Sequence, residues 1–249
     1  MDIIYLVLTG FLAGIVGSLM GLGGGIIMVP VLTLIFSLPV SEAVGTSLLG
    51  VVAVSTGAAI GFLKSGRANL PLGLTLETVS AAGALCGGLL AGIIRQEAIY
   101  IMFGLILLYA SYNMARPRKY DYENGKADFP RRMPIGMGLS FFAGNLSGLL
   151  GVGGGVIKVP MLNLIMGVPL KIATATSSYM VGITAGSGAL VYLFRGDIDL
   201  NKAAAIVVGI FFGSRLGASI SYRINALFLR LIFVAVMLFT AYKMIIRGF

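Results

Sequence analysis

The sequence predicts an all-α integral membrane protein made of two homologous halves, each with five hydrophobic segments. Composition is the first observation behind this prediction, because 58% of the 249 residues are hydrophobic and only 11% are charged. Soluble domains average roughly 25% charged residues, so a soluble chain of this composition could not cover its surface. Together with a mean hydropathy of +1.00, this indicates that the chain lies in a lipid bilayer.

A series of ten apolar runs is the second observation. Most are long enough to cross a bilayer as helices, but the runs 26–36 and 156–166 reach only about 16 Å, near half the hydrocarbon thickness. The predicted segments are 3–20, 26–36, 41–63, 72–94 and 98–114, followed by 134–150, 156–166, 171–194, 202–220 and 226–246.

One hydrophilic stretch, residues 115–133, separates the two sets of segments. It holds nine charged residues, six of them basic, and the positive-inside rule places such a stretch in the cytoplasm. We therefore divide the chain into a first transmembrane repeat (1–114), a basic cytoplasmic linker (115–133) and a second transmembrane repeat (134–249). The linker is a solvated connection or, alternatively, a lipid-binding basic patch.

An internal repeat at an offset of 130 residues is the third observation. Residues 21–48 and 151–178 are identical at 14 of 28 positions, including the glycines, the prolines and a Thr-Ser pair. A second similarity relates Gly83-x-x-x-Gly87 to Gly209-x-x-x-Gly213, four residues out of that register. Five segments per half predict an inverted-topology repeat. If the two short segments are re-entrant, each half has four spans and the repeat is parallel.

The motif G-x-G-G-G-x-x-x-V-P occurs once in each half, between a full-length segment and a half-length one. Consecutive glycines and a proline interrupt a helix, and irregular backbone inside a membrane must be buried in protein or face water. The freed N–H groups at the start of a short helix suit an anion, although glycines also permit close helix packing. The candidate anion-binding residues of the motif are Gly23, Gly24, Gly25, Gly153, Gly154 and Gly155.

With these motifs, GLGGGIIMVP and GVGGGVIKVP, and the Thr-Ser pairs that follow them, the sequence resembles the TauE/SafE family of sulfite exporters and sulfonate-uptake permeases. The resemblance covers essentially the whole chain. It implies a transporter of sulfur-containing or small organic anions in the plasma membrane of a prokaryotic cell. It leaves open which anion is carried and in which direction.

Other polar residues in apolar segments are further candidates for substrate contact. Lys158 replaces Met28 of the first motif, and a cation in the bilayer either serves a function or reaches an interface. The hydroxyl and amide side chains bind substrate or join helices, and the mid-segment Arg215 binds substrate, pairs with a carboxylate or reaches an interface. Besides Lys158 and Arg215, these candidates are Thr46, Ser47, Asn145, Thr176, Ser177 and Ser178.

These residues favour a secondary transporter that binds a small anion at the membrane midplane and alternates access. A passive anion channel or a scaffold is the alternative. Glu42 and Glu77 lie near the starts of long segments, where they stabilise a helix dipole or bind coupling protons. With no histidine and one cysteine, we expect no metal, no cofactor and no enzymatic activity. We also expect no nucleic-acid partner, and the oligomeric state is left open.

Overall fold

The protein is an all-α membrane protein, as the sequence predicts. A computed structural model describes residues 3–20, 24–64, 68–115, 129–220 and 226–248, and these ranges contain helices and no strands. Five helices within them are long and apolar enough to cross a membrane. Large apolar side chains cover much of their outer surface, with Phe212 60% and Leu89 59% exposed, which is the surface that a lipid environment requires.

Each predicted segment corresponds to one helix. The seventh helix continues into a single wider, π-helical turn, Met161–Ile165. The helices are α1 (Ile3–Met20), α2 (Gly25–Leu34), α3 (Val40–Lys64), α4 (Leu70–Ala91), α5 (Gln96–Ala115), α6 (Phe129–Leu150), α7 (Gly155–Pro160), α8 (Leu170–Phe194), α9 (Leu200–Ile220) and α10 (Ala226–Gly248).

The segment between α5 and α6 is shorter than the predicted linker, 115–133. Helix α6 begins at Phe129, five residues before the predicted segment, with Pro130 in its first turn, where proline is well tolerated. Residues 116–128 of the linker lie outside the described residues.

Both glycine motifs interrupt the helical path, as predicted. Gly24 and Gly154, each immediately before a short helix, have φ values of 78° and 75°, a left-handed conformation that glycine adopts without strain. A Cβ atom added to Gly24 would lie 3.7 Å from the Cα atom of Gly17. The chain therefore turns back at the end of α1, and α2 begins beside the middle of that helix.

The backbone of the short helices repeats at the 130-residue offset. At their starts, the Gly24 and Gly154 carbonyls accept hydrogen bonds from equivalent amides in the two halves. At their ends, the Phe36 amide donates to the Val31 carbonyl across five residues, and the Met166 amide does the same to Met161. The sequence repeat is thus also a repeat of local conformation.

Helices that occupy equivalent positions in the two halves run antiparallel. In α8, Gly188 lies against Leu48 of α3. Six residues earlier in α8, Gly182 lies against Ser55, which is seven residues later in α3. A two-fold axis in the membrane plane reverses the direction of equivalent helices, whereas an axis along the membrane normal preserves it. The α3–α8 pair therefore favours the inverted arrangement.

The α5–α10 pair has the same antiparallel geometry. Gly104 of α5 lies against Ala241 and Ile245 of α10. Near the other end, Gly248 of α10 lies against Glu97 and Ile101. Two independent pairs of equivalent helices thus favour an inverted repeat over a parallel one.

Glycines also pack α4 against α6 and α1 against α9, and these contacts set the register of the repeat. A Cβ at Gly83 would lie 2.2 Å from the Phe141 carbonyl oxygen, and one at Gly213 would lie 2.0 Å from that of Phe11. Gly83 is therefore equivalent to Gly213 at an offset of 130. The sequence comparison that matched it to Gly209 is wrong by one helical turn, because both glycines fit the same four-residue spacing.

Candidate functional site

The two glycine motifs meet at the centre of the molecule. A Cβ added to Gly25 would lie 2.2 Å from the Gly151 carbonyl oxygen and 3.1 Å from the Cα atom of Val152, so only glycine fits this contact. The Ser47 hydroxyl on α3 donates to the same Gly151 oxygen at 2.9 Å and lies 3.5 Å from the Gly25 oxygen. Ser47 therefore joins both interruptions.

The second interruption is enclosed by helices of both halves. A Cβ at Gly153 would lie 2.8 Å from side-chain carbons of both Val51 on α3 and Val181 on α8. A Cβ at Gly154 would lie 3.6 Å from the side chains of Ser147 and Lys158. Gly155 is buried as the first residue of α7. In the first motif, Gly23 lies outside the described residues.

Lys158 is the central charged residue of this region. Its side chain is 0% exposed, and its Nζ donates to Glu77 Oε2 at 2.9 Å, with the carboxylate side chain 2% exposed. It also donates to the Thr184 hydroxyl, and that hydroxyl in turn donates to Glu77 Oε1. Ser80 lies within hydrogen-bond distance of Thr184, at 3.0 Å between oxygens.

This ion pair joins the two halves of the chain. Lys158 lies on α7, four residues after Gly154, and Glu77 lies on α4. A single charge in a bilayer is costly, and opposite charges that pair there remove most of that cost. The alternative that Lys158 reaches an interface is therefore wrong. The dipole interpretation of Glu77 is also wrong, because the residue lies two turns into α4, beyond the reach of the helix terminus.

Glu42, by contrast, lies in the first turn of α3. Its carboxylate accepts a hydrogen bond from Lys202 Nζ at 2.9 Å. The side chains of this pair are 14% and 31% exposed. Glu42 therefore occupies the position that favours a helix dipole and does not share the environment of Glu77.

The equivalent positions of the repeat do not carry the Lys158–Glu77–Thr184 cluster. At the 130-residue offset of the repeat, Met28 is equivalent to Lys158 and Val54 is equivalent to Thr184. Val207 is equivalent to Glu77. Met28 and Val54 are buried, so the equivalent positions around α2 form part of an apolar core. The fold thus accommodates apolar side chains at the equivalent place, and the charges of Lys158 and Glu77 are not required by the architecture.

The threonine and serine candidates divide into bonded and unpaired groups. Thr176 accepts a hydrogen bond from the Asn69 amide at 2.9 Å, and Ser178 donates to the Thr174 carbonyl at 2.8 Å. The hydroxyls of Thr46 and Ser177 are buried and have no hydrogen-bond partner among the residues that the structure describes. Buried polar groups of this kind are rare, and these two, on the helices that follow the interruptions, remain candidates for substrate contact.

The two remaining candidates, Asn145 and Arg215, are not fully buried. Asn145 is half-buried on α6, where its backbone packs against Gly83 and Gly87 of α4. Arg215 is exposed on α9, with its guanidinium 5.9 Å from the centre of the Phe211 ring. The structure therefore does not bring Arg215 to the buried residues around Lys158.

Sequence reasoning missed Thr184 and Ser80, and it did not pair Glu77 with Lys158. A signal for the pair exists, since two opposite charges in apolar segments require partners. Thr184 and Ser80 carry no such signal, because hydroxyl residues are common in membrane helices. Among the residues that the structure describes, no group of histidine, cysteine and acidic side chains could hold a metal ion.

Two broken helices that meet beside a buried charged pair form an arrangement typical of secondary membrane transporters. The model of the family described as "Sulfite exporter TauE/SafE" matches residues 6–244. The chain therefore belongs to the TauE/SafE family.

Curated relatives agree with this assignment. The chain is 28% identical to the probable membrane transporter protein YunE of Bacillus subtilis, over 100% of the chain and 99% of the relative. It is 30% identical to the probable membrane transporter protein MJ0441 of Methanocaldococcus jannaschii, over 91% and 89% respectively. No solved structure matches the chain.

Proposed function

We propose that the protein is a secondary transporter of small sulfur-containing or organic anions, such as sulfite, thiosulfate or a sulfonate. The observation that supports this is the meeting of the two interrupted helices at Gly25 and Gly151. The amino ends of α2 and α7 both begin in this central region, and helix amino ends favour negative charge. The names of the relatives and of the family agree with transport across a membrane.

Lys158 is the side chain that we propose to contact the anion. It follows the second interruption directly, and its ammonium group is the one cation that the described structure buries completely. In the structure its charge is balanced by Glu77, so substrate binding requires that this pair separate or that Glu77 be neutralised. The unpaired hydroxyls of Thr46 and Ser177 are additional donors for oxyanion substrates.

Alternating access in this fold would not move one sequence half against the other as a rigid body. Helix α1 of the first half packs closely on α9 of the second, and α6 of the second half packs on α4 of the first. We therefore propose that the moving units are α1 with α9 and α4 with α6. They would shift across the central α3–α8 crossing, near the two interruptions.

We propose that the linker end of the bundle faces the cytoplasm. The segments after α3, α5 and α9 all leave at this end, and they include a strongly basic linker. At the opposite end, residues 195–202 balance two basic with two acidic residues. Arg247 also belongs to that opposite end, where its guanidinium donates to the Thr33 carbonyl at 2.6 Å. Its position therefore has a structural reason despite the positive-inside rule.

Counterflow in proteoliposomes tests the proposed transport. Vesicles loaded with unlabelled sulfite, thiosulfate or methanesulfonate should accelerate entry of the same labelled anion at least severalfold over unloaded vesicles. With the membrane potential held at zero by valinomycin and equal potassium on both sides, a passive channel or a scaffold shows no such stimulation, and its absence with every anion would exclude the carrier mechanism.

A pair of matched variants tests the role of Lys158. Lys158→Met introduces the residue that the first half has at this position, and we expect at least a tenfold loss of counterflow. Lys243→Met makes the same chemical change on the exposed face of α10, where Lys243 lies near the Phe239 ring, and should retain normal counterflow. Equal rates for both variants would remove Lys158 from the site.

A further inference from the structure

The Glu77 carboxylate can bind a proton, and anion binding alone does not use this property. We propose that Glu77 is the binding site of a coupling proton and that each univalent anion crosses the membrane together with one proton. This inference rests on the proposed transport function. It assigns a coupling ion, its stoichiometry and the side chain that binds it.

Charge balance is the physical basis of the proposal. Without substrate, the ammonium of Lys158 and the carboxylate of Glu77 together have no net charge. An anion that entered alone would leave one uncompensated negative charge among buried apolar residues, which is strongly unfavourable. An anion that enters with a proton leaves the cluster neutral again. Both the empty and the loaded carrier can then change conformation without moving net charge through the bilayer.

The hydrogen bonds permit this exchange. Lys158 donates to Glu77 Oε2 at 2.9 Å, so the carboxylate occupies the place that an anion needs on the ammonium. When a proton from water forms an O–H bond on the Glu77 carboxylate, the ion pair is lost and Lys158 can pair with the anion. The Thr184 hydroxyl keeps a partner throughout, because the Met180 carbonyl oxygen lies 3.2 Å away. Release of anion and proton restores the original pair.

No other described acidic side chain has this environment. Glu42 and Glu97 lie in the first turns of their helices, and Asp197 and Asp199 lie between α8 and α9. Glu77 is the one acid among the described residues that lies well inside a membrane helix.

Glu77 is the carboxylate of the cluster, and the groups that surround it are cationic or hydroxyl side chains. From α7 it faces Lys158, and from α8 it faces Thr184 and, at longer range, Tyr179, whose hydroxyl donates to the Asn69 and Leu70 carbonyls. On α6, Arg132 lies near the helix end, where its guanidinium donates to the Ile165 carbonyl.

Methanesulfonate in wild-type proteoliposomes tests the coupling without any risk of misfolding. This anion stays ionised at every practical pH, so any proton that accompanies it must be bound by the protein. With an inwardly directed proton gradient of one pH unit, we expect accumulation to approach about tenfold, since one unit is a tenfold ratio of proton activity. A membrane potential set with potassium and valinomycin should change the initial rate less than twofold, and an internal pH dye should report one proton per anion.

Glu77→Gln separates coupling from transport. The amide imitates the protonated carboxyl, so the loaded carrier stays neutral and should still exchange labelled for unlabelled methanesulfonate. The empty carrier would contain an unpaired lysine, so net accumulation driven by the proton gradient should fall at least tenfold. Glu97→Gln makes the same change at an exposed carboxylate paired with Arg95 and should accumulate the anion normally.

The outcomes distinguish the two proposals. Net methanesulfonate uptake without proton entry, or uptake that follows the membrane potential and ignores the pH gradient, overturns the coupling while the transport proposal stands. Undiminished gradient-driven accumulation by Glu77→Gln overturns it as well. If methanesulfonate and the other anions show no counterflow, the transport proposal fails and the coupling fails with it.

Discussion

The Glu77–Lys158 pair makes a quantitative prediction about stability, because the equivalent positions of the repeat show which residues can replace it. Lys158→Met and Glu77→Val introduce the residues found at the equivalent positions of the other half, Met28 and Val207. Each single change leaves one fully buried charge without its counter-ion. Breaking a buried pair in this way costs about 3–5 kcal/mol, so we expect each single variant to be destabilised by about that amount.

The double variant should be much closer to the wild type. Replacing both charges with apolar side chains removes the uncompensated charge and is often near neutral in proteins. The Thr184 hydroxyl retains the Met180 carbonyl at 3.2 Å and Ser80 at 3.0 Å. Valine is smaller than glutamate, so a residual cavity of about two heavy atoms should leave a cost of about 1–2 kcal/mol.

Denaturation of the purified protein in detergent, followed by the helical circular dichroism signal, measures this cycle. The two single changes add up to about 6–10 kcal/mol, and the double variant should recover most of that sum as coupling energy. Lys243→Met serves as the control for loss of an exposed lysine. If the double variant is as unstable as the sum of the singles, the two side chains do not act as a pair and the charge-balance reasoning fails.

Two further predictions concern packing and the pH dependence of stability. Gly144→Ala would place a Cβ 2.0 Å from the Ser80 carbonyl oxygen and should cost about 1–3 kcal/mol. Gly138→Ala on the same helix has no neighbour within 4 Å and should be neutral or stabilising, so equal melting temperatures would refute the close α4–α6 contact. Hydrogen bonds from the Lys202 amide and side chain lower the pKa of Asp199, so its stabilising effect exists above the ordinary carboxyl pKa and is lost as the pH falls through the lowered value. The stability difference between wild type and Asp199→Asn should therefore shrink on acidification, and a constant difference from neutral to strongly acidic pH would contradict this.

Much of the architecture follows from sequence because a bilayer imposes a simple rule. A chain in hydrocarbon must satisfy its backbone hydrogen bonds within each segment, so apolar runs become helices. The predicted segment 3–20 coincides with α1, and 26–36 differs from α2 by one or two residues. The interruptions are also predictable from the sequence, since three glycines and a proline cannot continue a regular helix.

The candidate site was only partly accessible to the same reasoning. Lys158 was identified because a cation in an apolar segment is unusual, and the motif glycines because they repeat. Its partner Glu77 lies 81 residues away in the other half, and no local pattern relates the two. The unpaired hydroxyls of Thr46 and Ser177 could not be distinguished from the bonded hydroxyls of Thr176 and Ser178 by sequence, since the partners come from other helices and backbone turns.

By itself, then, the amino-acid sequence determined that this chain is a helical membrane protein with two related halves, each interrupted by glycine and proline. Those properties depend on neighbours along the chain and on the bilayer. Only the tertiary structure decided that equivalent helices run antiparallel, that helices of the two halves interleave, and that Lys158 pairs with Glu77. These depend on which helix faces meet, and such contacts between residues far apart in sequence arise only when the packed helices exclude lipid from between them.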